Sequence, residues 1–148
     1  MVTTRENAIG SLTELPDAAT WDDGCHGKVS EISVWYTQRG VCAVKFSYLG
    51  VTGIVKGEIH GPILKIARNS KIKLDSDEYV KKCIAHFGDL NVGKIEFHTN
   101  KKKFECGVEP SGESFSATFG AFNNNKIVGF HGVSSSLFLH KIGVYRSQ

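Results

Sequence analysis

Lys126-Ile127-Val128-Gly129-Phe130-His131-Gly132 is followed, after Val133-Ser134-Ser135-Ser136, by Leu137-Phe138-Leu139-His140-Lys141-Ile142-Gly143-Val144-Tyr145. Two apolar, glycine-punctuated segments thus flank a loop of small residues. Glycine at a strand end lets the backbone turn tightly and lets another group approach it closely. The pair reads as two strands. The loop between them, with backbone N–H groups and a polar side chain at its far end, suits the holding of hydroxyl groups.

The same period-two alternation runs outward through the chain, and helical periodicity is nearly absent. Val29-Ser30-Glu31-Ile32-Ser33-Val34-Trp35-Tyr36 alternates, as does Val41-Cys42-Ala43-Val44-Lys45-Phe46-Ser47-Tyr48, where Val44, Phe46 and Tyr48 share a face. Ile54–His60, Lys71–Leu74, Tyr79–Phe87, Lys94–His98, Lys103–Cys106 and Ser114–Phe119 continue the pattern. About ten to twelve strands at roughly 8–12-residue spacing predict an all-β sandwich, barrel or prism. Asp23-Gly24, Arg39-Gly40, Pro110-Ser111-Gly112 and Asn123-Asn124-Asn125 supply turn residues. Residues 1–20 show no period, so a loose arm joining the sheet only near Trp21 is expected. The chain divides on this reading into an arm, 1–13, and one domain, 14–148.

The 148 residues suffice for one core, and 41% hydrophobic with 22% charged residues is ordinary soluble-protein composition. No run approaches the roughly 20 apolar residues of a membrane-spanning helix, and the opening residues Met1–Asn7 carry no secretory apolar region. A net charge of +3 is mild. Lys101-Lys102-Lys103 reads as a solvated hairpin turn rather than a nucleic-acid stripe, which would be broader and interleaved with aromatics. Cys25, Cys42, Cys83 and Cys106 form no C-x-x-C pair and have no zinc-type spacing to histidine, so four free thiols in a reducing compartment are expected. There is no G-x-S-x-G elbow, and no nucleophile is spaced with a base, so no enzymatic constellation is present. His60, His86, His98, His131 and His140 read as surface or satisfied core histidines. Leu74-Asp75-Ser76-Asp77-Glu78-Tyr79 lacks the EF-hand spacing and reads as a solvated turn. No metal or cofactor is implied. Trp21-Asp22-Asp23-Gly24 reads as a buried anchor leading into a tight turn.

Several of these segments, in order, resemble the jacalin-related lectins. Trp21-Asp22-Asp23-Gly24 is similar to the W-D-D-G that opens many plant members, and Val41–Tyr48 to the family's I-x-x-I-x-F-x-Y strand. Val55-Lys56-Gly57-Glu58-Ile59-His60-Gly61 resembles G-x-x-H-G. Leu74-Asp75-Ser76-Asp77-Glu78-Tyr79-Val80 resembles L-x-x-x-E-Y-I, and Gly93–Lys101 resembles S-L-x-F-x-T-N-K. Lys126–Gly132 matches K-I-V-G-F-H-G without a change. The resemblance covers Trp21 to Tyr145. It implies a β-prism of three four-stranded antiparallel sheets with pseudo-threefold symmetry, and a plant carbohydrate-binding protein of the mannose-type branch, acting in defence or stress response.

In that family a glycine-rich loop ahead of the tryptophan meets a G-x-x-x-D segment of the last hairpin. Here Ser136-Leu137-Phe138-Leu139-His140 stands in the second place, with serine for glycine and histidine for aspartate. Glu14-Leu15-Pro16-Asp17-Ala18-Ala19-Thr20 stands in the first. The resemblance therefore implies a degenerate site with weak monosaccharide binding. It is centred on Ser135, Ser136, Leu137, Phe138 and His140, with Asp89 and Leu90 in the neighbouring loop, and uses the backbone donors of 136–138. Partners are mannose-type glycans or, on the alternative reading, a protein bound by a β-prism without sugar activity, in antiviral resistance. Neither nucleic acid nor membrane is expected as a partner. A homodimer is expected, and so is a cytoplasmic or nucleocytoplasmic location.

Overall fold

The computed structural model describes residues 2–120 and 124–148. Twelve strands are found there: β1 (Thr3–Gly10), β2 (Ala19–Asp22), β3 (Lys28–Thr37), β4 (Gly40–Gly50), β5 (Gly53–His60), β6 (Arg68–Lys73), β7 (Val80–Phe87), β8 (Val92–Thr99), β9 (Lys103–Gly107), β10 (Phe115–Phe119), β11 (Lys126–Ser134) and β12 (Leu139–Ser147). All recorded strand pairs are antiparallel.

They form three four-stranded sheets, ordered β5-β4-β3-β6, β10-β7-β8-β9 and β1-β12-β11-β2. One rule generates all three. Each sheet has a central hairpin; the next strand in the chain flanks the hairpin's second strand, and the one after flanks its first. For the hairpin β11–β12 the flanking strands come from the start of the chain. This threefold repetition is the expected β-prism.

Alternation along the central strands supplies the core. Phe46 of β4, Phe97 of β8 and Phe130 of β11, one from each sheet, meet in the interior and are fully buried. The rings of Phe46 and Phe130 stack at 3.9 Å, and Phe97 meets both edge-on at 6.0 and 5.9 Å. Such edge-to-face and stacked pairs add to the burial of three large side chains. Gly132 shows why the quoted stretch needs glycine: a side chain there would meet the Trp21 ring at 2.8 Å and the Lys141 carbonyl closer still. In the expected turn 123–125, Asn123 lies outside the described residues, as does Met1, and Asn124 has φ 62°.

The expected loose arm is corrected. Thr3–Gly10 is strand β1, paired with β12 from Thr3↔Ser147 to Gly10↔Lys141. Its alternate side chains are only half buried, so no apolar period marks it. Polar contacts hold it instead. Arg5 donates to His131 Nδ1 at 3.2 Å, and His131 Nε2 donates to the Glu6 carbonyl at 2.8 Å. The solvated turn expected over 74–79 is also corrected in part, since Leu74 is buried. Glu78 is fully buried; it accepts from the Asp75 N–H at 3.0 Å and from Thr99 Oγ1 at 2.6 Å.

Trp21 packs against the core and stacks on His60 at 3.8 Å, while Asp23 accepts from Tyr48 Oη at 2.6 Å and pairs with His60 at 2.7 Å. The four cysteines are free; Cys25 is exposed and the others are buried.

Candidate functional site

The loop Ser135–Phe138 closes the hairpin β11–β12 at one end of the prism. The Ser135 N–H donates to the Phe138 carbonyl at 2.9 Å. Ser135 Oγ accepts from the Leu137 and Phe138 N–H groups, each at 3.3 Å. The Ser136 N–H donates to Asp17 Oδ2 at 3.0 Å. The backbone donors expected to face a ligand are therefore engaged inside the protein.

His140 organises the loop from below. It is fully buried. Its Nδ1 lies 2.6 Å from the Leu90 carbonyl, which can only accept, so the proton is on Nδ1. In the neutral ring Nε2 is then the acceptor, and the Ser135 hydroxyl, 2.9 Å away, donates to it. Ser135 thus gives its one proton to His140 and receives two backbone N–H groups. The histidine ties two loops together and does not reach solvent.

A segment leading out of β1 covers this end. The Ser11 N–H donates to the His140 carbonyl at 3.0 Å, and the Thr13 N–H to the Asp89 carbonyl at 3.0 Å. Glu14 pairs with Lys141 at 3.1 Å. The Ala18 N–H donates to the Leu15 carbonyl at 2.9 Å, closing a turn with Pro16 and Asp17 at its corners. Contact with Ser136 holds the Asp17 carboxyl below the usual carboxylate range.

All seven expected residues gather here. Ser135, Ser136, Leu137 and Phe138 form the loop. Leu90 and Asp89 join it through His140 and Thr13. Ser136 and Leu137 are exposed, whereas Phe138 is buried under the Arg39 guanidinium, 5.4 Å from its ring centre. The residue that sequence reading missed is Asp17. Its signal was Pro16, which favours the second position of a β-turn and so presents the next side chain outward. The exposed carboxylate of Asp17 covers the Ser136 N–H, and the other donors of the loop are satisfied from within.

Strand order and sheet pairing define a β-prism of three four-stranded antiparallel sheets. Residues 16–145 match the jacalin-like lectin domain, and the chain belongs to that family. It is 32% identical over 145 residues to PYK10-binding protein 2 of Arabidopsis thaliana, covering 93% of this chain and 46% of that protein. The chain spans less than half the length of this relative and of jacalin-related lectins 22 and 38 of Arabidopsis thaliana. Among solved structures, frutalin from Artocarpus incisa superposes with a TM-score of 0.82 at 25% identity, over 100% of this chain and 97% of the other. The artocarpin–mannotriose complex gives 0.79 at 25%, over 99% and 98%. The family is one of carbohydrate-binding, non-enzymatic proteins.

Proposed function

We propose that the domain is a carbohydrate-binding lectin with a degenerate mannose-type site, in which monosaccharide binding is weak because the protein occupies its own loop. One observation carries this reading: the Asp17 carboxylate sits on the Ser136 N–H, where a ligand oxygen would have to bind. Artocarpin, with mannotriose bound, supports mannose-type glycans as the ligand class. A role in plant defence or stress response, in the cytoplasm or nucleocytoplasmic space, belongs to the same reading. Four free thiols, one of them exposed, suit a reducing compartment.

Calorimetric titration with methyl α-mannoside and mannotriose tests it. The monosaccharide is expected to bind at millimolar Kd or more weakly, about 4 kcal/mol or less. Asp17→Ala, which releases the Ser136 N–H, is expected to tighten it. A sub-millimolar Kd for the unaltered chain would refute the reading.

The second reading is a protein-interaction module, with antiviral resistance as its setting and self-association into a dimer as one form. Ile54, Ile59, Ile63 and Ile66 of the β5–β6 region are exposed, Ile66 at 80%. Apolar exposure of this kind marks interaction surfaces. The name of PYK10-binding protein 2 supports the same class of role. If Asp17→Ala leaves mannose binding undetectable and Ile66→Lys abolishes a dimer seen by sedimentation, this reading replaces the first.

A further inference from the structure

The opposite end of the prism carries a differently built surface. β11 runs from Lys126 at this end to Ser134 at the sugar-type loop, and β7 runs from Val80 here to Phe87 near Asp89. Between the start of β7, the β8–β9 turn and the residues ahead of β11 lies a depression of about 630 Å³.

Five lysines line it, and no carboxylate is among its lining residues. Two of the five are already neutralised. Lys101 pairs with Asp75 and Asp77, and Lys103 with Glu105 and Glu96. Lys81, Lys82 and Lys102 make no ion pair among the described residues. Three lysines without an ion pair among the described residues therefore line one hollow, and a cluster of like charge attracts an anion.

The wall behind them is rigid. Buried Glu78 holds Thr99, the Thr99 N–H donates to the Lys102 carbonyl at 2.8 Å, and Asn100 Oδ1 accepts from the Tyr79 N–H at 2.8 Å. The β8–β9 turn is thus fixed before any ligand arrives.

Asn125 adds an independent observation. It lines the same depression and is 2% exposed, yet neither its Nδ2 nor its Oδ1 has a hydrogen-bond partner among the described residues. Buried amides are nearly always paired, and one left unpaired at the wall of a hollow is a group that a ligand reaching it would satisfy. An amide supplies one donating and one accepting group, which together match sugar hydroxyls. Lysine ammonium groups match the oxygens of a phosphate or sulfate ester.

We propose that this end of the prism binds a saccharide carrying a phosphate or sulfate ester, with Lys81, Lys82 and Lys102 on the ester and Asn125 on an adjacent hydroxyl. The site goes beyond the mannose-type reading and does not depend on it.

Calorimetric titration of the full chain at low salt with glucose 6-phosphate, glucose 6-sulfate, glucose and inorganic phosphate tests the proposal. One ester at least is expected to bind, glucose is not, and inorganic phosphate is expected to bind about tenfold more weakly than that ester. The triple variant Lys81→Gln, Lys82→Gln, Lys102→Gln should lose about tenfold or more, and added salt should weaken binding. Asn125→Ala should bring the ester down to the level of inorganic phosphate. If that variant does not fold, the lysine variant, altered only in its charges, decides. Asp17→Ala, at the other end, should leave ester binding unchanged, so the two sites fail separately. No binding of either ester, undiminished binding by the lysine variant, or inorganic phosphate binding as tightly as the ester would each overturn the proposal.

Discussion

His140 and Leu90 are joined by a hydrogen bond of 2.6 Å from a fully buried imidazole to a backbone carbonyl. The contact links the β7–β8 loop to the β11–β12 hairpin and fixes the ring so that its other nitrogen faces Ser135. An aspartate at 140 would put a buried negative charge against that carbonyl and leave Ser135 without its acceptor geometry. His140→Asp is therefore expected to destabilise the domain by roughly 3 kcal/mol, seen as a lower urea midpoint. Unchanged stability would show that the ring is not the staple described.

Tyr48 is buried, and burial, reinforced by the nearby Asp23 charge, pushes its phenol far up, so it remains a proton donor. Its hydroxyl and His60 share the two oxygens of Asp23. Tyr48→Phe removes one donor and leaves the carboxylate half satisfied. A loss of about 1–3 kcal/mol is expected by chemical denaturation. The loss should shrink sharply in an Asp23→Asn background, where no charge is stranded.

Acid stability should report on Glu96. Burial opposes ionisation there, but hydrogen bonds from His86 and His98, with Lys103 nearby, outweigh it and hold the carboxyl at about 2 against an ordinary 4.5. A carboxyl depressed in the folded state stabilises fully above its unfolded pKa and loses that contribution as pH falls through its folded one. The window is thus from about 4.5 down to about 2. The contribution is of order 2 kcal/mol, since the histidines are partly open to solvent. Glu96→Gln should flatten the unfolding free energy over that window. An unchanged acid limb would count against it.

Thiol chemistry should separate the cysteines. Cys25 is exposed, although partial burial and the Asp22 charge raise its thiol. Cys106 is pushed up to about 12, first by burial and then by Glu105, and Cys83 is raised further, chiefly by burial. Ellman titration of native protein should count one reactive thiol, and the unreduced, denatured chain should give four. Two or none in denaturant would refute the unpaired state.

Much of the fold was legible because period two recurs along the central strands. Val44, Phe46 and Tyr48, which that period puts on one face, are all fully buried. Ser135 to Phe138, His140, Asp89 and Leu90 lie at one end of the prism, joined by the contacts of His140 and Thr13. The rest was hidden for physical reasons. β1 lies at a sheet edge, its half-buried positions are Thr4, Glu6 and Ala8, and polar contacts of the Arg5 side chain and the Glu6 carbonyl hold it rather than large apolar side chains. Glu78 is buried because Thr99, distant in sequence, supplies a hydroxyl; no local pattern announces that pairing. Asp17 becomes part of the site only when its turn is folded back onto Ser136.

The order of the strands also sets a timetable. Asp22 pairs with His131, and Thr3 with Ser147, so β1 and β2 have no sheet to join until the hairpin β11–β12 exists. Sheets β5-β4-β3-β6 and β10-β7-β8-β9 draw on contiguous stretches and can assemble as they emerge. The opening strands meanwhile remain unpaired edges, and such long-range closure is slow. The Asp17 turn, carried on the same stretch, can reach Ser136 only at that final step, so the loop is covered at the moment the prism closes.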